Sequence, residues 1–321
     1  MVPIFDRSAP RTLAGTILRR ILEGLLTAWS AVSLTFFALR IGVGDPVDSL
    51  LSQGLATAEQ AQTLRHELGF DLPLLQQYAR YLLQLLRGDL GTSLYTARPV
   101  SRVIAEQFSS TLQLALGAFA FALILALILG TIAAWHKDSR SGRLANAIAG
   151  LATALPVAFT GIIAILALSG VLSLLPPGAL TGWLQHSLLP VMVLGFASAG
   201  GIARVLQAGL QETMDTPYLM SARARGIGEM RLLLVHALRP ALPPVISMSA
   251  LQAAFLLTGT VVTETVFARP GLGRLLVTSI LQGDYPIAQG IVVLAAIVYT
   301  ATGLAADILS LVSDPRMRRV A

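Results

Sequence analysis

The chain has 321 residues, of which 55% are hydrophobic and 12% charged, with a mean hydropathy of +0.72. Soluble domains carry about 25% charged residues, so this chain lacks the polar surface to cover a water-exposed body, and a disordered or fibrous chain is excluded as well. The net charge is +6, the pI is near 10.3 and there is no cysteine, which excludes a disulfide framework, a thiolate metal site and a cysteine nucleophile.

A helix that crosses a bilayer needs about 20 mostly apolar residues. Six stretches qualify: residues 21–43, 111–135, 147–175, 188–210, 241–267 and 287–312. The pattern predicts an all-α membrane protein, with residues 1–20 and 313–321 as short ends and residues 21–312 as one membrane domain. The first stretch is longer than the apolar core of a signal peptide, about 7–15 residues, and no small-x-small site follows it, so it reads as a retained anchor. The third is long and contains Pro156, which predicts a kink or a broken helix there. Gly195, Ser198, Gly200 and Gly201 in the fourth read as a site of close helix packing.

Six crossings put both ends on one side. The segments on that side hold 15 Arg and Lys against 6 acidic residues, the opposite segments hold 8 of each, and Glu23, Glu264 and Asp307 lie in or near the spans. Basic residues collect on the cytoplasmic side, which makes the topology N-in, C-in. The high pI is then a sign of orientation, and no nucleic-acid partner is expected.

Three connections are too long or too patterned to be simple turns. The outer segment 44–110 contains a helical stretch at 74–86, bracketed by Leu72-Pro73 and by Arg87-Gly88-Asp89-Leu90-Gly91. The inner segment 211–240 contains Tyr218-Leu219-Met220-Ser221-Ala222-Arg223-Ala224-Arg225-Gly226-Ile227-Gly228-Glu229. There a short helix over 217–225 should stop at Gly226, and an amphipathic helix over about 228–238 should follow. Small residues among Arg223 and Arg225 suit close approach to another protein, and they suit an anionic lipid surface equally. The outer segment 268–286 is broken by Pro270, Gly271 and Gly273 and reads as a re-entrant hairpin.

Taken together, these runs resemble one family. They are Leu39-Arg40 through Gly44-Asp45-Pro46-Val47, Leu68-Gly69-Phe70-Asp71-Leu72-Pro73, Gln77-Tyr78, Gly88-Asp89-Leu90-Gly91-Thr92-Ser93, Ala222-Arg223-Ala224-Arg225-Gly226, Glu264-Thr265-Val266-Phe267, Pro270-Gly271-Leu272-Gly273-Arg274, Asp284-Tyr285-Pro286 and Asp314-Pro315-Arg316. In order and spacing they resemble the permease subunits of binding-protein-dependent ATP-binding-cassette importers, in the dipeptide, oligopeptide and nickel group, of the type with the larger outer loop. The resemblance covers about residues 19–319. It implies a half-pathway for di- or oligopeptides, with nickel or a metal chelate as the alternative. It implies a homologous second permease, two ATPase subunits that bind ATP and Mg, an extracytoplasmic binding protein and a bacterial inner membrane. It also implies that the helix around Gly226 is a coupling helix seated in an ATPase cleft. Aligned on Gly226, the family's Glu-Ala-Ala pattern falls on Met220, Ser221 and Ala222, so Ala222, Gly226 and the later Leu238 match while Met220 and Ser221 depart.

The coupling candidates are therefore Tyr218, Ser221, Ala222, Arg223, Ala224, Arg225, Gly226 and Glu229. The chain has no Gly-x-x-x-x-Gly-Lys-Ser/Thr phosphate loop, so energy from ATP has to arrive through a contact. Glu264, Phe267, Pro270, Gly271 and Gly273 are the candidates for the translocation path or an outer gate. Glu264 is expected to line that path or, more simply, to pair with Arg269 or Arg274. Asp307 is expected to serve as an inner-edge anchor, and Glu23 to reach water.

His66, His136, His186 and His236 are far apart and none pairs at a ligand spacing, so no metal site is expected. The outer segment 176–187, with Gly182-Trp183 and Gln185-His186, faintly resembles nickel-type members. No catalytic motif such as Gly-x-Ser-x-Gly or His-Glu-x-x-His occurs, and neither enzymatic activity nor a cofactor in this chain is expected. A self-contained secondary transporter would need internal repeats and mid-span charges, and the sequence offers neither.

Overall fold

The computed structural model describes residues 13–52, 54, 57–172, 187–258 and 260–313, and every element in them is helical apart from one isolated bridge between Thr92 and Pro99. The segment with Gly182-Trp183 and Gln185-His186, and the run Asp314-Pro315-Arg316, lie outside the described residues. Helix α1 spans Leu13–Ala38 and ends in a π-helical turn, Leu39–Val43. Three short helices follow as a cap: α2 (Pro46–Ser52), α3 (Ala58–Leu68) and α4 (Leu74–Leu86). Helix α3 starts on a capping box, in which Thr57 accepts the Gln60 amide and Gln60 accepts the Thr57 amide. Arg65 ties α3 back to α2 through Asp45 at 2.6 Å and through Asp48.

Helix α5 (Val100–Trp135) runs for 36 residues, about 54 Å at the α-helical rise, and so exceeds the hydrocarbon thickness of about 30 Å. Its first turns lie within the stretch read as outer loop, because Pro99 preorganises the start of the helix. The polar Arg98–Glu106 pair stands there. Next come α6 (Arg140–Ala154) and α7 (Val157–Leu172), bent by 111° at the break ahead of Val157. The break falls on Leu155-Pro156, where the ring removes a donor and disfavours helix in the residue before it. The sequence's third span is thus two helices meeting at a sharp corner. Helix α8 (Leu189–Met214) leads into the short α9 (Pro217–Ala224). A turn at Glu229–Arg231 and a π-helical stretch, Leu232–Ala237, then run straight into α10 (Leu238–Thr258). The chain ends with α11 (Val261–Val266), α12 (Leu272–Gln282) and α13 (Tyr285–Ser313). Among the described residues, five helical stretches are long and apolar enough to cross a membrane, and counting the bent α6–α7 pair as one span gives six.

The centre of the bundle is α5 against α8, with α6 and α10 flanking α8 and with α13 between α10 and α1. Its core is built mainly from alanine, including Ala122, Ala126, Ala149, Ala199 and Ala203, with Leu206 and Leu210. Small side chains are what lets membrane helices approach closely, because lipid gives no hydrophobic drive to associate. The Gly195–Gly200 cluster acts in that way. A Cβ at Gly195 would lie 2.6 Å from the Ala118 carbonyl oxygen of α5, and one at Gly200 would lie 2.6 Å from the Ala149 carbonyl oxygen of α6. Large apolar side chains such as Phe159, Ile162, Ile163 and Leu166 on α7 point outward, as they do where the solvent is lipid.

Gly200→Ala should therefore destabilise the purified chain in detergent micelles by about 1–3 kcal/mol, since a backbone carbonyl cannot step aside. Gly303→Ala, where a Cβ meets nothing within 4 Å, should leave the thermal midpoint unchanged or slightly raised. Equal effects at the two positions would contradict the packing role of Gly200.

Candidate functional site

Two constellations from the sequence are each brought together. The first is the loop between α8 and α10. Pro217 occupies the first position of α9, with Thr216 extended ahead of it. The helix stops as the sequence predicts. Gly226 takes φ +78°, its N–H donates to the Arg223 carbonyl at 3.0 Å, and the Ile227 N–H donates to the Ala222 carbonyl at 3.4 Å. This pair of bonds is a Schellman closure, and Ile227 supplies the apolar contact that accompanies it by packing on the core around Ala222.

Helix α9 has two faces. Leu219 and Ala222 are buried among Leu206, Leu210, Leu232, Leu233 and Ala237. Tyr218, Met220, Ser221, Arg223, Ala224 and Arg225 are exposed, as are Gly226 and Glu229. Ala222 thus serves as an anchor beneath the surface that the other candidates form. Arg223 Nε donates to Glu229 Oε1 at 3.0 Å, bridging the two sides of the turn, and the Tyr218 hydroxyl lies 2.6 Å from His236 Nδ1. The Arg223–Glu229 pair is about half exposed, so it orients the loop more than it stabilises it.

The second constellation lies where α11, α12 and α5 meet. Glu264 is fully buried. Its Oε1 accepts the Thr111 hydroxyl at 2.7 Å, and its Oε2 accepts the backbone amides of Gly273 at 2.7 Å and Arg274 at 3.2 Å. Thr111 in turn accepts the Leu272 amide at 2.8 Å. Glu264 and Thr111 together therefore satisfy the first three amides of α12, groups that have no partner within their own helix. The carboxylate also sits at the positive end of the helix dipole. The expected pairing of Glu264 with a guanidinium is corrected for Arg274, which meets Glu264 through its main-chain N–H while its side chain donates to the Ala268 carbonyl. Arg269 reaches the Ser187 hydroxyl and the Ser110 carbonyl.

This close approach needs glycine. A Cβ at Gly271 would lie 2.4 Å from the Glu264 carboxyl carbon, and one at Gly273 would lie 2.4 Å from Val261 Cα. Phe267 is buried against Gly161 of α7, and Pro270 is exposed with its carbonyl accepting from Ser110. Sequence reasoning missed Thr111, whose only signal was a hydroxyl at the start of an apolar run. It also missed Asp284, which is buried and accepts the Ser93 hydroxyl at 2.6 Å and the Leu94 amide at 3.2 Å. Among the described residues, no group of three His, Asp or Glu is placed to hold a metal ion.

Comparison with known proteins agrees with this architecture. Residues 126–319 match the family described as the binding-protein-dependent transport system inner membrane component. The chain is 34% identical over 313 residues to a peptide transport system permease protein of Brucella abortus (strain 2308), covering 95% of this chain and 99% of that one. It is 35% identical over 302 residues to the glutathione transport system permease protein GsiC of Escherichia coli O6:H1, covering 94% and 98% of the two chains.

Replacing Glu264 by Ala leaves buried donors unpaired, at about 1–3 kcal/mol each. The expected outcome is a large loss of thermal stability together with faster hydrogen exchange at the Gly273 and Arg274 amides. Glu264→Gln keeps one acceptor oxygen and should fall between that variant and the parent. Unchanged exchange in Glu264→Ala would remove the capping role.

Proposed function

Because the chain belongs to the family of binding-protein-dependent transport system inner membrane components, we propose that it forms half of an importer pathway for short peptides, opened by ATPase subunits that push on α9. The coarser part of this is established by membership: the chain is a permease subunit of an ABC importer, a multi-pass protein of a bacterial inner membrane. Such a subunit works with ATPase and binding-protein partners. Di- or oligopeptides as the cargo, α9 as the coupling element and the N-in, C-in orientation are the proposed parts.

The observation that carries the mechanism is the two-faced α9. Its exposed face pairs small side chains, Ser221 and Ala224, with a cationic edge, Arg223 and Arg225, and with the Tyr218 ring and the apolar Met220. A protein cleft with an apolar floor and an acidic rim complements that face. Its inner face is locked by Leu219 and Ala222 into the same core that holds α5, α6, α8 and the start of α10. Close-packed cores transmit displacement with little compliance. A force on α9 therefore moves α8 and α10 as one body, and no flexible linker absorbs it. The pathway lies between this chain and a homologous second permease, so the single chain does not transport.

The candidates Glu264, Phe267, Pro270, Gly271 and Gly273 act at the outer end as the rigid corner of a gate hairpin, α11–α12. Peptide as the cargo is supported by the relatives named for peptide and glutathione transport. The nickel or metal-chelate alternative came from the same family resemblance, and among the described residues no group of three His, Asp or Glu is placed to hold a metal ion. A self-contained secondary transporter has no support in the fold either.

Co-expression with candidate ATPase subunits tests the coupling. Ala224→Trp and Arg225→Glu alter only the exposed face, so the thermal midpoint of the isolated chain should not change. Both should weaken recovery of the ATPase by about tenfold or more, the loss typical of a central interface residue, and ATP hydrolysis should fall to the level of the ATPase alone. Full association in both variants would refute coupling through α9.

A further inference from the structure

Beneath the cap lies a cavity of about 270 Å³, between the end of α1, helix α4, the loop after it and the first turns of α13. Three side chains on its wall carry buried polar atoms without a hydrogen-bond partner: Arg40 Nη1, the Tyr81 hydroxyl and Gln289 Nε2. Gln289 itself is only 6% exposed. Buried polar atoms are nearly always paired, so three in one cavity mark a place where a ligand supplies the missing partners.

The chemistry of that ligand follows from the donors. A guanidinium and a carboxamide nitrogen only donate. Burial pushes the Tyr81 phenol up to about 12, so it stays protonated and able to donate. The three groups thus ask for an acceptor. The site also carries an unbalanced positive charge. Arg40 lies on the Phe36 ring, 3.8 Å from its centroid, and its Nε donates to Gln77 Oε1 at 2.8 Å. Gln77 is fixed in that orientation by donating to the Phe70 and Leu72 carbonyls. These contacts hold the guanidinium without neutralising it, and among the described residues no carboxylate forms an ion pair with it. Asp89, on the same wall, has its Oδ1 taken by the Gly91 amide.

Water can satisfy single donors but cannot balance the charge. A cation is excluded by the donor set. A carboxylate matches it, because its two oxygens are planar acceptors suited to a guanidinium fork and its charge is the one missing. From this we infer that the cavity is a binding site for a carboxylate, either a small organic acid or the free carboxyl end of a short peptide. Use by a peptide rests on the importer function proposed above, whereas binding of a simple acid does not. Arg40 supplies the charge, and Tyr81 and Gln289 fix the orientation.

Isothermal titration of the full chain in detergent micelles with acetate, glycylglycine and glycylglycine amide tests the inference. Acetate or glycylglycine should bind, and the amide, which lacks the carboxylate, should bind at least about tenfold more weakly. Tighter binding of glycylglycine than of acetate identifies a peptide end as the ligand, and equal binding identifies the simple acid. Tyr81→Phe keeps the ring that stacks on Phe36 at 5.3 Å and removes only the hydroxyl. It and Gln289→Leu should each weaken binding by about tenfold, as expected for a lost hydrogen bond to a charged group, with an unchanged thermal midpoint. No binding of either acid, equal binding of the amide, or parental affinity in both variants would overturn the assignment. Because these titrations contain no ATPase, the site and the coupling through α9 stand or fall separately.

Discussion

A buried carboxylate organises the α5–α11–α12 corner of this permease. Glu264 is fully buried, and its carboxyl group accepts from a hydroxyl of α5 and two amides at the start of α12. An isolated carboxylate would be far too costly in such a place. Here it completes a helix end that has no partners of its own, so the helix terminus and the acid satisfy one another. The bond to Thr111 fixes where α12 meets the long helix α5. The turn between α11 and α12 then has to be compact enough to bring the amides to the carboxylate, and Gly271 and Gly273 make that possible.

The two ends of the molecule are held by different physics. At the end that carries the cap, polar bonds join segments that are distant in sequence: Ser93 to Asp284, Tyr285 to the Gly44 carbonyl, and Tyr95 to the Gln282 carbonyl. They stitch the cap and the loop after it to the α12–α13 turn and the start of α13, beside the cavity that Arg40 lines. At the other end, an alanine-rich apolar core packs α5, α6, α8 and α9. A polar network defines one geometry by direction, whereas a close-packed core carries displacement.

Much of this was legible in the chain, and the reasons differ by residue. The six apolar stretches follow from length and composition. The break at Pro156 follows from a ring that cannot donate, although its size, 111°, did not. The end of α9 at Gly226 follows from a glycine after an amphipathic run, and its φ of +78° is the conformation that glycine tolerates best. The surplus of Arg on one set of loops pointed to orientation without any coordinates.

Composition, apolar length and the local chemistry of Pro and Gly therefore determined the class of protein, the apolar helices and the punctuation of its loops, because each acts over a few residues. Tertiary structure alone decided which partner each polar side chain takes. Glu264 meets Thr111 across 153 residues, and Ser93 meets Asp284 across 191. Arg274 was expected to pair with Glu264 through its side chain and meets it through its main-chain N–H instead, because sequence proximity says nothing of a helix end folded back onto the acid. The cavity at Arg40, Tyr81 and Gln289 was hidden for the same reason. Its donors come from three separate elements, and only packing the cap onto α1 and α13 leaves them facing one another.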